Sequence, residues 1–397
     1  MSSLLPGNDI NLLVCGKDYF PALEDAIDRA HQEVFLETYI FADDVIGHRI
    51  AAALARAARR GVRVRVLVDG FGARDFETTH QPGLEEAGAH TLVFRPEVGR
   101  LSLRRNRLRR MHRKLAVIDA QIGFAGGINI IDDMHTPGHT PPRYDFAVRV
   151  RGPLVARMHA ECQQLWERVA WATLQFRPRI PRLREYASRQ AGQIRAALLV
   201  RDNVRHRHDI EDAYLQAIDS ACSDIIIANA YFLPGRRFRQ ALTLAAARGV
   251  SVTLILQGRV EYMLLHYASQ ALYGSLLSQG VRIVEYRRGF LHAKAAVIDA
   301  DWATVGSSNI DPFSLMLARE ANVLVRDAGF AEELRQKLHA AARHGGHELR
   351  HRQWRERPVL ERVLRWLAYG LVRTMIGLAG EKSGLRRRRP KQARSGA

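Results

Sequence analysis

Laid over each other, the two halves of this 397-residue chain match, and that duplication constrains the fold more than any other feature. Arg60 to Gly70 answers to Arg248 to Gly258, each reading as a helix end, a glycine and a strand rich in β-branched residues. Upstream, Val34 to Phe41 and Ile225 to Phe232 form a corresponding pair of strands, followed by amphipathic helices over 46–59 and 236–247. Downstream, Leu115 to Asp119 and Ala295 to Asp299 are short apolar strands that lead through turns into Ile122 to Ala125 and Ala303 to Val305. The expected architecture is a pseudo-twofold α/β protein with two mixed β-sheets flanked by helices. Its expected organisation is a first half over 1–175, a linker over 176–196 containing Pro178 and Pro181, a second half over 197–345, and a tail over 346–397 without a counterpart.

The same polar pattern recurs inside both copies. His112, Lys114 and Asp119 are followed by Gly126-Gly127-Ile128-Asn129, and His292, Lys294 and Asp299 by Gly306-Ser307-Ser308-Asn309, with 17 residues from His to Asn in each. The chain has only six lysines against 54 arginines, so finding two of the six at these positions carries weight. The residue types suit phosphodiester exchange. A neutral imidazole can attack phosphorus while a second, protonated one releases the departing alkoxide. Two lysines supply compact charge for the non-bridging oxygens, and Asn129 and Asn309 add donors for the phosphate. Alternation along a strand puts each His and its Lys on one face. Each motif offers one His beside a repelling Lys and no carboxylate cluster, so no metal is expected. One phosphodiester replaces another, so no cofactor is expected either.

On these residues the chain resembles the phospholipase D superfamily, and more closely its short-form bacterial cardiolipin synthases. The resemblance extends to Phe35 to Phe41, Arg60-Gly61-Val62, the arginine-rich segment before Met111-His112-Arg113-Lys114, Tyr144-Asp145, Gly152-Pro153, and Gly306 to Leu315. It implies an active site shared between the halves, with an acidic partner orienting each histidine. The matching positions are Glu320 in the second half and Asp145 in the first. It implies that Asp119 and Asp299, though part of the motif, shape a loop rather than touch substrate. It also suggests His112 as nucleophile and His292 as acid/base, a choice that the symmetry of the repeat leaves open. The family usually has Asn where this chain has Ala318. The implied reaction is transphosphatidylation between two phosphatidylglycerol molecules, giving cardiolipin and glycerol. A phospholipase D or nuclease with water as acceptor would use the same residues.

Charge and tail bear on the partner. The formal charge of +19 implies a polyanion, either nucleic acid or an acidic lipid surface. Gly88 to His112 spans 24 residues against 12 from Gly280 to His292, and this insertion carries Arg104, Arg105, Arg107, Arg109 and Arg110, read as a head-group clamp at the mouth of the site. Pro358 opens a helix over 359–379 that is too interrupted by Glu361, Arg362, Arg365 and Arg373 to span a bilayer, and a basic tail follows it. An apolar face followed by cations is the two-signal arrangement that holds a protein on an anionic membrane surface; packing on the protein's own core is the alternative. Nucleic acid is disfavoured for want of an aromatic stacking surface. Three scattered cysteines suggest a reducing compartment, and no leader is read at the start, so the expected location is peripheral, on the cytoplasmic face of the inner membrane. The sequence carries no signal for oligomeric state.

Overall fold

A computed structural model describes residues 3–96, 109–136, 140–174, 189–202, 206–260, 262–311, 314 and 318–380. Arg104, Arg105, Arg107, most of the expected linker and the basic tail lie outside the described residues.

Among the described residues seventeen strands follow in chain order: β1 (Leu5–Val14), β2 (Glu33–Thr38), β3 (Arg63–Asp69), β4 (His90–Phe94), β5 (Lys114–Ile118), β6 (Ile122–Gly126), β7 (Thr140–Tyr144), β8 (Phe146–Arg151), β9 (Ile194–Arg201), β10 (Asp224–Asn229), β11 (Ser251–Gln257), β12 (Arg282–Tyr286), β13 (Gly289–Leu291), β14 (Lys294–Ile298), β15 (Trp302–Gly306), β16 (Glu320–Arg326) and β17 (Gly346–Glu348). The first half builds a mixed sheet in the order β1-β8-β6-β5-β2-β3-β4, and the second repeats it as β9-β16-β15-β14-β10-β11-β12. The two sheets join edge to edge where β1 pairs antiparallel with β9, through Leu5 with Ala196 and Asn8 with Ile194. The tail contributes more than a helix, since β17 adds an antiparallel edge to β12.

Local chemistry explains the repeated elements. The run Val34 to Leu36 is buried on both sheet faces, which suits a parallel pair such as β2 with β3. Asp44 caps the helix Val45–Arg59 by accepting the N–H of Gly47 at 2.8 Å, and Asp327 caps Ala328–Gly345 through Phe330 at 2.8 Å. The helix-to-strand turns at Gly61 and Gly249 adopt φ of 88° and 90°, a region open to glycine without strain.

The faces of the sheets then find different partners. Helices Cys15–Asp28 and Val45–Arg59 cover the outer face of the first sheet through Leu23, Ile27, Ile50 and Leu54. Asp209–Ser220 and Arg236–Ala247 cover the second through Tyr214, Ile218, Phe238 and Leu242. One further core joins the halves, packing Val148 and Val150 with Val323 and Val325 beneath helices Leu154–Ala172 and Ala328–Gly345. Each fully buried side chain of this size removes about 1.5–3 kcal/mol worth of apolar surface from water. The halves are therefore held to each other by core as well as by strand pairing, a rigid frame for residues that must meet across the join.

Candidate active site

Both motifs begin at the same place in their sheets, at the start of β5 and of β14, with the histidine two residues before the strand rather than within it. What holds each histidine there is the other half of the molecule. The N–H of His112 donates to the carbonyl of Arg319 at 2.9 Å, and the N–H of Arg319 donates back to the carbonyl of Arg110 at 2.8 Å. The N–H of His292 donates to the carbonyl of Tyr144 at 2.8 Å, where β13 runs parallel to β7. Arg319 and Tyr144 immediately precede the two expected acidic partners, so this backbone register carries each carboxylate to the histidine of the opposite half.

Nδ1 of His112 lies 3.1 Å from both carboxylate oxygens of Glu320, and Nδ1 of His292 lies 2.6 Å from Oδ2 of Asp145. An Nδ1–H donated to a carboxylate fixes the tautomer and leaves the lone pair on Nε2. The groups behind the two carboxylates differ by compensation. Ser307 donates its hydroxyl to Glu320 at 2.6 Å. Its counterpart is Gly127, where a Cβ would fall 2.3 Å from Oδ1 of the shorter Asp145.

Lys114 and Lys294 are buried, and each ammonium donates to the carbonyl of its own motif histidine, Lys114 at 2.5 Å. Lys294 also stands 3.8 Å from Asp145. Burial lowers Lys114 to about 7, with Glu320 opposing and Lys294 reinforcing the shift. Burial likewise holds His112 below its ordinary value against the pull of Glu320, and holds His292 well below, helped by Lys294 and Arg143. Burial pushes Glu320 upward, but His112, Lys114 and the Ser307 hydrogen bond outweigh it, and its carboxyl sits below the usual range. Asp145 is pushed up to about 6 by burial, against Lys294. Both imidazoles feel both lysines, so the two motifs form one electrostatic unit.

The other expected residues take several positions. Asn129 and Asn309 are buried beside the motifs, and each turns its Oδ1 to a backbone N–H, of Ile40 at 3.1 Å and Tyr231 at 3.4 Å. Asp119 and Asp299 lie at the far ends of β5 and β14, with φ of 51° and 49°. Asp119 accepts the N–H groups of His31, Gln32 and Glu33, all at 2.8 Å. Asp299 accepts those of Cys222, Ser223 and Asp224 at 2.8–3.1 Å. Of the insertion arginines within the described residues, Arg109 accepts from Arg95 through its carbonyl. Arg110 lies over the ring of Phe71 at 4.8 Å and stands 3.7 Å from Asp69.

Four contributors were not singled out from the sequence: Ser307, the carbonyl of Arg319, the carbonyl of Tyr144, and Tyr39, whose ring lies 4.9 Å from that of His112 and 5.4 Å from the Lys114 ammonium. Ser307 and Tyr39 lie inside the quoted motifs, but their roles depend on what faces them. Apart from the motifs, Asp43, His48 and His80 bring possible ligand atoms within 4.8 Å of one another. His48 pairs with Asp43 at 2.9 Å, and a ring nitrogen of His80 lies 2.9 Å from the carbonyl of Ala42.

Residues 23–166 and 214–341 match a family model described as cardiolipin synthase, PLD-like domain, one segment for each half. The chain belongs to the cardiolipin synthase family of phospholipase D-like proteins. Cardiolipin synthase B of Escherichia coli is 42% identical over 334 residues, covering 84% of this chain and 80% of that protein. Cardiolipin synthase B of Salmonella typhi is 40% identical over 342 residues with the same coverage. The major cardiolipin synthase of Bacillus subtilis is 30% identical over 333 residues, 82% of this chain and 67% of its own length. Among solved structures, the phosphatidylserine synthase of Haemophilus influenzae superposes with a TM-score of 0.71 at 14% identity, covering 95% of this chain and 96% of that one, a likeness of fold.

Proposed function

We propose that this chain is a phosphatidyltransferase that converts two molecules of phosphatidylglycerol into cardiolipin and glycerol. The observation that carries the reading is the reciprocal pair of carboxylate-bound histidines, His112 with Glu320 and His292 with Asp145, set among two buried lysines in a chain of the cardiolipin synthase family.

In the first step, Nε2 of His112 bonds to phosphorus while the P–O bond to the glycerol breaks, and that oxygen takes the proton of His292. In the second, a hydroxyl of another phosphatidylglycerol gives its proton to His292, its oxygen bonds to phosphorus, and the P–Nε2 bond breaks. Glu320 supports His112 as nucleophile because an ionised carboxylate behind Nδ1 stabilises the positive ring of the phosphoimidazole. His292, the more strongly lowered imidazole, gives up its proton more readily once the phosphodiester anion has helped to charge it. Lys114, Lys294 and the amides of Asn129 and Asn309 hold the non-bridging oxygens. Arg104, Arg105, Arg107, Arg109 and Arg110 would draw in the anionic head group.

The setting is peripheral, on the cytoplasmic face of the membrane. Among the described residues no helix is long and apolar enough to cross a bilayer. The helix Val359–Gly380 packs on the helix Met263–Gln270 and buries Ala368 and Val372, yet it exposes Leu360, Leu364, Leu367 and Leu371. The protein uses one stripe of this helix for its own packing, and the exposed stripe is what supports a reading of membrane contact. Incubation with phosphatidylglycerol vesicles tests the reaction. Cardiolipin and glycerol in equal amounts, with a phosphatidyl group trapped on a His112 peptide, are expected; phosphatidic acid and glycerol without cardiolipin would mean water is the acceptor.

A further inference from the structure

The two histidine–carboxylate pairs are built alike, but the strands beside their carboxylates are not. In the first half β1 pairs with β8 so that Leu13 faces Ala147, and in the second β9 pairs with β16 so that Leu199 faces Asn322. Two residues further toward the site, the repeat sets Cys15 beside Asp145 and Arg201 beside Glu320. Both matches are present: the N–H of Cys15 donates to the carbonyl of Asp145 at 2.9 Å, and Arg201 is the register partner of Glu320. Cross-strand partners project from one face of a sheet with Cβ atoms about 4.5–5.5 Å apart, so the residue at this position acts on the carboxylate. Cys15 is buried, burial pushes its thiol up to about 12, and β1 carries no basic residue. The charges that reach Asp145 come instead from Lys294, Lys114 and Arg143. Glu320 has a guanidinium on the neighbouring strand.

Arg201 is 2% exposed, a burial that keeps it from substrate, and its contacts tie it to His112. Its Nη1 donates to the carbonyl of Ala318. Ala318 opens the segment whose next two residues hold His112: the carbonyl of Arg319 takes the backbone N–H, and the carboxylate of Glu320 takes Nδ1. Burial lowers Arg201 to about 10, with Glu320 the chief charge opposing that shift, followed by Asp202 and Asp311, while Arg207 adds to it. The guanidinium therefore stays charged at neutral pH. Among the described residues, the groups that bear on Glu320 are His112 and Lys114 from the first half, the Ser307 hydroxyl, and Arg201 from β9.

We propose that Arg201 is a positioning residue that breaks the symmetry of the repeat: by clamping Ala318 and setting a fixed charge beside Glu320, it makes His112 the carrier of the phosphatidyl group and keeps that group transferable. The proposal rests on the transphosphatidylation reading and concerns its covalent intermediate. With phosphorus on Nε2 and a proton on Nδ1, the ring of His112 is positive. A nearby cation lowers the proton affinity of Glu320, so the proton stays on the ring. In the second step the acceptor oxygen bonds to phosphorus and its proton passes to His292. The P–Nε2 bond breaks with its electron pair returning to the ring, which ends neutral and still protonated on Nδ1. If Glu320 took the Nδ1 proton first, the ring would be neutral while still bonded to phosphorus, and Nε2 would be a poorer leaving group. Removing the charge of Arg201 moves the intermediate in that direction. The neutral thiol of Cys15 gives Asp145 no such support, which suits a pair that passes protons rather than carrying phosphorus.

The test compares turnover with the amount of trapped intermediate, using phosphatidylglycerol labelled at phosphorus in detergent micelles and an alkaline denaturing quench, which preserves phosphohistidine. Arg201→Met removes the charge and the donor, and exchanging a buried charge for an apolar side chain of similar length is commonly neutral for stability or better. Arg201→Lys keeps the charge. In Arg201→Met, cardiolipin formation is expected to fall about tenfold or more while the steady-state fraction of enzyme labelled on the His112 peptide rises about threefold or more, because the second step is the one slowed. In Arg201→Lys both quantities should stay within about threefold of wild type, since the ammonium supplies the charge without the planar fork. Arg201→Met at the wild-type rate, a slowed Arg201→Met with no rise in labelled enzyme, or Arg201→Lys as slow as Arg201→Met overturns the proposal. Label on the His292 peptide of the wild type does so too. Should Arg201→Met fail to fold by circular dichroism, Arg201→Gln takes its place with the same expectations. A wild-type protein that makes no cardiolipin overturns the transphosphatidylation reading, and the proposal with it.

Discussion

Nδ1 of His112 meets the carboxylate of Glu320 at 3.1 Å across 208 residues of chain, and His292 meets Asp145 at 2.6 Å across 147. Each half thus supplies the histidine of one pair and the carboxylate of the other, and neither half contains a complete pair. His112→Ala or His292→Ala should leave less than a tenth of wild-type turnover without unfolding the protein. Glu320→Gln should lower kcat by about a hundredfold or more, because the neutral amide can hold the wrong tautomer.

Ser307 acts through Glu320, so its effect should not add to that of Glu320. Ser307→Ala should cost about tenfold in kcat, in line with loss of one hydrogen bond to a charged group. In the Glu320→Gln background the same change should cost much less. Equal effects in both backgrounds, measured as a double-mutant cycle on kcat, would place Ser307 outside the pair.

The pH dependence of kcat/KM reports the free enzyme. His112 must be neutral to attack, and burial holds it below 6.5 despite Glu320, so the acid limb is expected below that value. His292 must enter protonated and is held well below its ordinary value, so the alkaline fall begins with it, and the Lys114 ammonium is lost in addition as pH rises through about 7. Lys114→Arg, which stays charged, should remove the Lys114 contribution to that fall at a cost in rate, leaving the His292 contribution in place. Lys114→Met should abolish activity yet raise Tm by about 2 °C or more, since it removes a charge whose burial the fold opposes.

Loss of Asp119 should weaken the fold rather than the chemistry. Asp119→Ala strands three backbone N–H groups and is expected to cost about 3 kcal/mol of stability, read from denaturant unfolding, while kcat at low temperature falls only a few-fold. Asp299 offers a pH check. Backbone donors from Ser223 and Cys222 outweigh burial and hold its pKa below the ordinary value. Its contribution is therefore present above the unfolded carboxylate pKa of about 3.9 and is lost as pH falls through the lower folded value. The stability gap between wild type and Asp299→Asn should close over that acid range.

Membrane attachment should separate from catalysis. Replacing Leu360, Leu364, Leu367 and Leu371 together by Gln removes the exposed stripe and spares Arg365, Ala368 and Val372, which face the protein. Sedimentation with anionic vesicles should fall, more so at high salt, while activity in detergent stays close to wild type. Undiminished sedimentation would send the membrane contact elsewhere on the surface. Chelation by EDTA should leave activity unchanged in either setting.

The duplication, both motifs and most strands were legible in the sequence, because hydrophobic period and glycine placement are local properties: β3 and β11 could be read from Arg63 to Asp69 and Ser251 to Gln257 alone. The loop-shaping role of Asp119 and Asp299 came with the family resemblance; which backbone N–H groups their carboxylates accept could be read only from the structure. Which carboxylate serves which histidine was not legible, since equivalent positions in a repeat look alike whether paired within a half or across it. That choice rests on the bonds from His112 to Arg319 and from His292 to Tyr144, which form only when the sheets join at β1 and β9 and the shared core sets their register. A side chain's capacity to donate is written in its chemistry, but whether a neighbour has already taken it is decided by the tertiary structure.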